Sequence, residues 1–231
     1  MNEYKLLQFL QEQSYLADFR AKSYIQDSHA KKRPQRNIFV RLQKYIEDFK
    51  VGKDKTRWIT LTGLRGSGKT TVLFQLYSLI SSQDYYKLFL SLDNTHWLLW
   101  VDLFEVLTTF EKLLGRSFEM LDKPLFLFLD EVQYDASWGI ALKSLYDRTN
   151  KVFILSTGSA ALMLNTNADI SRRTIFEKMH PLSFTEFLKI AKSKFETKGL
   201  SWDIRNAILF SENSTEVFEK LQELEWPINM Y

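Results

Sequence analysis

Between a short β-rich run, Trp58–Thr62, and a stretch of helical apolar spacing, Thr70–Ser81, the chain reads Gly63-Leu-Arg-Gly-Ser-Gly68-Lys69-Thr70. This is the pattern G-x-x-x-x-G-K-[ST], which requires a strand, a tight loop and a helix in that order. Each fixed position has a physical task. The glycines Gly63, Gly66 and Gly68 let the backbone turn tightly and aim several N–H groups at one point. Those amides, with the N-terminus of the following helix, bind phosphate oxygens. Lys69 brings a mobile positive charge to the β- and γ-phosphates, and Thr70 offers a hydroxyl to Mg²⁺. Arg65, Ser67 and Thr71 complete the candidate phosphate-binding set. With glycine near 7% of residues, a chance match in a chain this long is expected in about one sequence in a hundred. The flanking strand and helix make a mere glycine-rich turn the weaker reading.

The rest of the chain alternates in the same manner. Residues 4–25 have near-helical apolar spacing, and Ile38–Phe49 predicts a second helix. Strands are expected at Tyr85–Leu92, Pro124–Leu129, Val152–Ser156 and Thr174–Met179. Helices are expected at Leu98–Leu114, Ser137–Arg148, Phe184–Lys194 and, in the tail, Ser201–Glu225. Strand–helix alternation of this kind means a parallel sheet with helices on both faces. The expected fold is therefore an α/β, three-layer P-loop sheet with an N-terminal helical arm and a partial C-terminal helical lid. Its expected divisions are 1–36 for the arm and a basic hinge, 37–188 for the core, and 189–231 for the start of the lid.

Composition excludes several classes. With 45% hydrophobic and 26% charged residues the chain is not a disordered one. The balance of 31 basic and 28 acidic residues, 31 − 28 = +3, does not by itself imply a nucleic-acid partner. There is no cysteine, so disulfides, cysteine zinc sites and thiol nucleophiles are excluded. His29, His96 and His180 show no metal-ligand spacing. Glu3, Glu12 and Asp18 interrupt the first apolar residues, so no signal peptide is read there, and no uncharged apolar run is long enough to span a membrane. A cytoplasmic protein is expected. The hinge Lys31-Lys-Arg-Pro-Gln-Arg36 fits either a solvated linker or a contact with nucleotide or nucleic acid.

Three further sites carry chemistry. Pro124–Leu129 is apolar at every position, as in a strand buried on both faces, and it runs into Asp130-Glu131. Isolated buried charges are costly, so two carboxylates there point to a cation. Ligands of α/β sheets sit beyond the carboxyl ends of the strands. Asp130 is placed to hold Mg²⁺ and Glu131 to polarise the attacking water. Val152–Leu155 leads into Ser156-Thr-Gly-Ser159, where Thr157, or else Ser159, could contact the γ-phosphate or that water. A turn or helix cap fits the same residues. Arg172 and Arg173 precede the last strand, as either solvated surface charges or an arginine finger.

Taken together, these motifs resemble the archaeal-type ATPases of the AAA+ superfamily, which usually carry a C-terminal winged helix and a nuclease-like domain. The resemblance rests on Leu61–Thr71, Leu90-Ser-Leu-Asp93, Phe128-Leu-Asp-Glu-Val-Gln133, Ala141–Asp147, Thr157-Gly-Ser159 and Pro181-Leu-Ser-Phe-Thr-Glu-Phe187, and covers roughly residues 36–188. It implies an ATPase core with Thr157 or Ser159 as sensor. Counting back from Pro181, it implies Arg173 as the arginine that reaches a neighbouring subunit. The family commonly has glycine where Arg172 stands, and Leu64 and Ser67 depart from its commoner loop residues. The winged helix and nuclease-like domain are not expected within these 231 residues, so functions located in those are not carried over.

The expected function is Mg²⁺-dependent ATP binding and hydrolysis coupled to a conformational change. ATP and ADP are the expected ligands, self-association or a protein partner completes the site, DNA is a possible partner, and no membrane is involved. The alternative is a nucleotide-dependent switch that binds ATP, hydrolyses it negligibly and recruits a partner. A small-molecule kinase is disfavoured by the absence of an acceptor-binding insert.

Overall fold

The computed structural model describes residues 3–53, 56–93, 101–159, 161–162, 168–184, 186–187 and 190. The chain divides into two compact units, Met1–Pro181 and Leu182–Tyr231. The first unit is built on five strands: β1 (Trp58–Gly63), β2 (Tyr86–Ser91), β3 (Leu125–Asp130), β4 (Val152–Gly158) and β5 (Ile175–Met179). They lie in the order β2-β3-β4-β1-β5, every pair parallel. β1, β3 and β4 are buried at every position, which suits the near-continuous apolar run of β3, and the buried Thr60 of β1 and Ser156 of β4 satisfy each other at 2.9 Å.

The helices form the outer layers. α1 spans Glu3–Ile25, α2 Asn37–Lys50, α3 Lys69–Tyr77, α4 Leu103–Leu114, α5 Trp138–Arg148 and α6 Ala168–Ser171. One face of the sheet packs Leu88, Leu90, Leu127 and Ile154 against α4 and α5. The other packs Ile59, Phe89, Phe128 and Leu155 against α2 and α3. α1 touches α3, α4 and the edge strand β2. Its Leu6 and Leu10 join the first core, and its Ala17 and Ala21 the second. The expected arm thus covers an edge strand, whose unpaired backbone groups would otherwise invite pairing with another chain.

Several boundaries differ from the sequence expectations for visible reasons. α3 stops at Tyr77, although the apolar pattern continues to the buried Ile80. There the backbone tightens, with the Leu79 and Ile80 amides donating to the Leu76 and Tyr77 carbonyls at 3.0 and 3.1 Å. The described part of the helix expected at Leu98–Leu114 begins at Leu103, where Asp102 caps it by accepting from the Glu105 amide at 2.9 Å. Residues 98–100 lie outside the described residues, as do most of Phe184–Lys194 and all of Ser201–Glu225.

In the second unit, Ser183 and Glu186 form a capping box. The Glu186 amide donates to Ser183 Oγ at 3.3 Å and the Ser183 amide to the Glu186 carboxylate at 3.1 Å. This gives the Leu-Ser-Phe-Thr-Glu segment a structural task, the start of a helix. Among the described residues, no helix is long and apolar enough to cross a membrane.

Candidate functional site

β1 and β3 are separated by β4, so the chain crosses over within the sheet and leaves a crevice beyond the carboxyl ends of these strands. The phosphate loop and the acidic pair both open into it. Gly63 ends β1 with its backbone against Met179 of β5; a Cβ there would lie 2.5 Å from the Met179 carbonyl oxygen, so only glycine fits. Gly68, the N-cap of α3, has φ +97°, a left-handed conformation that side chains rarely adopt. Gly66 has φ +78° at the loop's tip beside the exposed Arg65.

Lys69 is 5% exposed and folds back over the loop, donating to the Gly63 and Leu64 carbonyls at 3.1 and 3.2 Å. Its Nζ lies 3.9 Å from Glu131 Oε1. Ser67 Oγ is buried without a hydrogen-bond partner, a polar atom left for a ligand. Thr71 is half-buried one residue further on in α3. Arg36, which belonged to the basic hinge, is buried instead. It donates to the Ser67 carbonyl at 2.5 Å and the His180 carbonyl at 2.8 Å, bolting the loop to the end of β5. Its role is invisible in the sequence because its partners lie 31 and 144 residues away.

A single hydrogen-bonded chain links the remaining residues. Thr70 Oγ1 donates to Asp130 Oδ2 at 2.7 Å. Thr157 Oγ1 donates to Asp130 Oδ1 and accepts from the Glu131 amide at 3.0 Å. Glu131 has φ +54°, an uncommon conformation for a residue with a side chain. Gln133 Nε2 donates to Glu131 Oε2, and Gln133 Oε1 accepts from the Ser159 amide at 3.3 Å. Thr157 is wholly buried and acts between the two acids, while Ser159 lines the open cavity.

That cavity holds about 480 Å³ and is lined by Arg65, Lys69, Thr70, Asp130, Glu131 and Ser159. Arg20 and Tyr24 of α1 wall its far side, where Tyr24 stacks on Phe74 with ring centres 4.5 Å apart. The helical spacing of residues 4–25 carries no sign of this part in the site.

Asp130 is 4% exposed. Burial pushes its carboxyl above the ordinary range, the hydroxyls of Thr157 and Thr70 pull it back, and the charges of Glu131 and Asp93 push it up again. Asp93 also lines the cavity. Among the described residues no group of three or more His, Cys, Asp or Glu could cage a metal ion. The hard oxygens of Thr70 and Asp130 instead suit Mg²⁺, which is bound through one or two carboxylates together with substrate phosphates. The residues present therefore fit Mg²⁺ with a nucleotide.

Arg173 does not line the cavity. It pairs with Asp147 at the end of α5, Nε at 2.8 Å and Nη2 at 3.0 Å, and donates to the Asp169 carbonyl at 2.8 Å. Arg172 is exposed and makes no ion pair with a described residue.

Comparison with known proteins agrees with this fold. A family model described as an AAA domain matches residues 55–188. An uncharacterized protein of Methanocaldococcus jannaschii is 34% identical over 196 residues, 83% of this chain; the chain spans 39% of that relative's length. Among solved structures, the Orc1 protein of Aeropyrum pernix in complex with DNA is 15% identical at a TM-score of 0.50, over 81% of this chain and 64% of that one. A replication initiator DnaA bound to AMPPCP and single-stranded DNA is 17% identical at 0.51, over 84% and 62%. At these identities the two structures show a shared fold.

Proposed function

From the premise that the chain belongs to the AAA domain family, we propose that it binds ATP with Mg²⁺ and hydrolyses it. The observation that carries this reading is the continuous chain from Thr70 through Asp130 and Thr157 to Glu131 beside the phosphate loop. Lys69 leaves the loop carbonyls for the β- and γ-phosphates. Thr70 and Asp130 hold Mg²⁺, which when bound draws charge from the phosphate oxygens. Glu131 accepts a proton from the attacking water as the water oxygen bonds to the γ-phosphorus. The bond from that phosphorus to the bridging oxygen breaks, leaving ADP and inorganic phosphate. In this reading Ser159, which lines the cavity, contacts the γ-phosphate, and Thr157 acts through its bond to Asp130.

The resemblance adds Arg173 as a charge offered to a neighbouring subunit. Its bond to Asp147 is an exposed pair, with 26% and 44% of the two side chains accessible. Such pairs contribute little, because water screens them and two long side chains must be held still. Exchange of Asp147 for a neighbour's phosphate is therefore not prevented by the pair. Self-association and a protein or DNA partner belong to the same proposal.

One observation favours a second reading, the nucleotide-dependent switch. Lys69, which the phosphates need, lies 3.9 Å from the Glu131 carboxylate. A protein that kept the two so would bind ATP and turn it over negligibly until a partner arrived. Turnover with and without added DNA separates the two.

Binding is tested first. Charge-assisted bonds from Lys69 to phosphate contribute roughly 1.5–3 kcal/mol each. In a calorimetric titration with Mg·AMPPCP, Lys69→Ala is expected to bind at least about tenfold more weakly than wild type. Equal affinities would remove the phosphate loop from the account.

A further inference from the structure

Gln133 was not among the site residues expected from the sequence, yet it is a side chain that touches both the proposed water-polarising carboxylate and the segment leaving β4. Its amide nitrogen donates to Glu131 Oε2 while its amide oxygen accepts from the Ser159 backbone at 3.3 Å. The fit is close on both sides. A Cβ on Gly158 would lie 3.2 Å from Gln133 Oε1 and 2.5 Å from the Leu162 side chain, so glycine at 158 makes room for the bridge. Gln133 stands in the short helical turn Val132–Tyr134, and it lines the same cavity as Lys69 and Thr70.

Glu131 has two holders here. Oε2 is bound by Gln133, and Oε1 faces Lys69 at 3.9 Å. A phosphate arriving at the loop draws Lys69 to itself, which leaves the Gln133 amide as the group that fixes the direction of the carboxylate. A Glu side chain has three rotatable bonds, and general-base catalysis requires the base within hydrogen-bond reach of the proton it removes.

Resting on the ATPase reading above, we propose that Gln133 is a positioning residue for hydrolysis: it aims Glu131 at the attacking water and, through the Ser159 amide, ties that aim to the strand end facing the γ-phosphate. In this proposal Gln133 acts through Glu131 and not on the nucleotide. It should therefore affect the rate of the chemical step and leave nucleotide affinity unchanged.

The experiment compares wild type, Gln133→Ala, Gln133→Glu and Glu131→Gln by single-turnover hydrolysis of Mg·ATP, Mg·AMPPCP titration and thermal melting. Gln133→Glu carries the proposal, because it has the same shape and can still accept from the Ser159 amide but offers Glu131 a like charge in place of a donor. The expected result is a hydrolysis rate at least tenfold below wild type in both Gln133 variants, with Kd for AMPPCP within twofold and Gln133→Glu no faster than Gln133→Ala. Two results would overturn it: wild-type turnover in Gln133→Glu, which assigns Gln133 the purely structural task of accepting from Ser159, or a loss of affinity and melting temperature in step with the rate. If Gln133→Ala does not fold, the isosteric variant decides alone. Absence of turnover in wild type would overturn the ATPase reading and this proposal with it. Normal turnover in the Gln133 variants, with Glu131→Gln inactive, would overturn this proposal only.

Discussion

Asp130 shows at the scale of one residue what burial does to a carboxylate in the candidate site. Its carboxylate is almost wholly enclosed and satisfied by two hydroxyls, yet burial still lifts its pKa above the ordinary 3.8. The native state therefore holds this proton more tightly than the unfolded chain does. Its contribution to stability is fully present below the unfolded value and is lost as pH rises through the raised folded value. Above that folded value the buried carboxylate costs stability, a cost that a bound cation would relieve. Asparagine at this position keeps an acceptor for Thr157 and offers Thr70 a donor, without the charge. Asp130→Asn without nucleotide should thus melt at or above the wild-type temperature at neutral pH, with the gap closing as pH falls. Mg·ATP should raise its melting temperature less than that of wild type. Melting curves across pH, with and without Mg·ATP, check this; a variant stabilised by Mg·ATP as much as wild type would take Asp130 out of the metal site. Lys69, by contrast, already folds against its own loop carbonyls, so nucleotide binding exchanges one set of oxygens for another instead of ordering a free side chain.

Elements placed these residues, and most elements were legible. β3 stood out because it is apolar at every position, as strands buried on both faces commonly are, and the phosphate loop because its chemistry fixes residue types at fixed spacing. The register of β3 on β4 pairs Leu129 with Ser156, which brings the Asp130 and Thr157 ends level and lets Thr157 bridge both acids. Boundaries were less legible where the apolar pattern outlasted the helix, as at Leu79 and Ile80, or where an apolar run preceded the cap, as before Asp102. Contacts between distant segments were not legible at all. Arg36 reads as one more charge in a basic run until β5 brings His180 beside it, and Gln133 reads as a polar residue after an acidic pair until Ser159 approaches. α1 read as an arm because amphipathic spacing says that a face is buried, not against what. Its place over β2 puts Tyr24 against Phe74, one turn after Thr70, and so makes it a wall of the cavity.

On the scale of the whole molecule, every residue lining the proposed site belongs to the first unit, and the proposal adds to it an arginine from a neighbouring subunit. An arginine given in trans raises such rates about 10³–10⁵-fold. Turnover per subunit should accordingly rise with protein concentration until assembly saturates, and Arg173→Ala should keep ATP binding but lose that rise. Mixing Arg173→Ala with Glu131→Gln should restore part of the activity, since one keeps the acid and the other the arginine. A flat concentration series with a fully active Arg173→Ala would leave Arg173 as the partner of Asp147 alone. The central claim, hydrolysis at the Asp130–Glu131 strand end, stands on one measurement more than any other: phosphate release from prebound Mg·ATP under single-turnover conditions, wild type against Glu131→Gln. Wild type should release phosphate, and Glu131→Gln should do so about 10²–10⁴-fold more slowly at unchanged ATP affinity; equal rates in the two proteins, or no release by a wild type that binds ATP tightly, would rule out hydrolysis at this strand end.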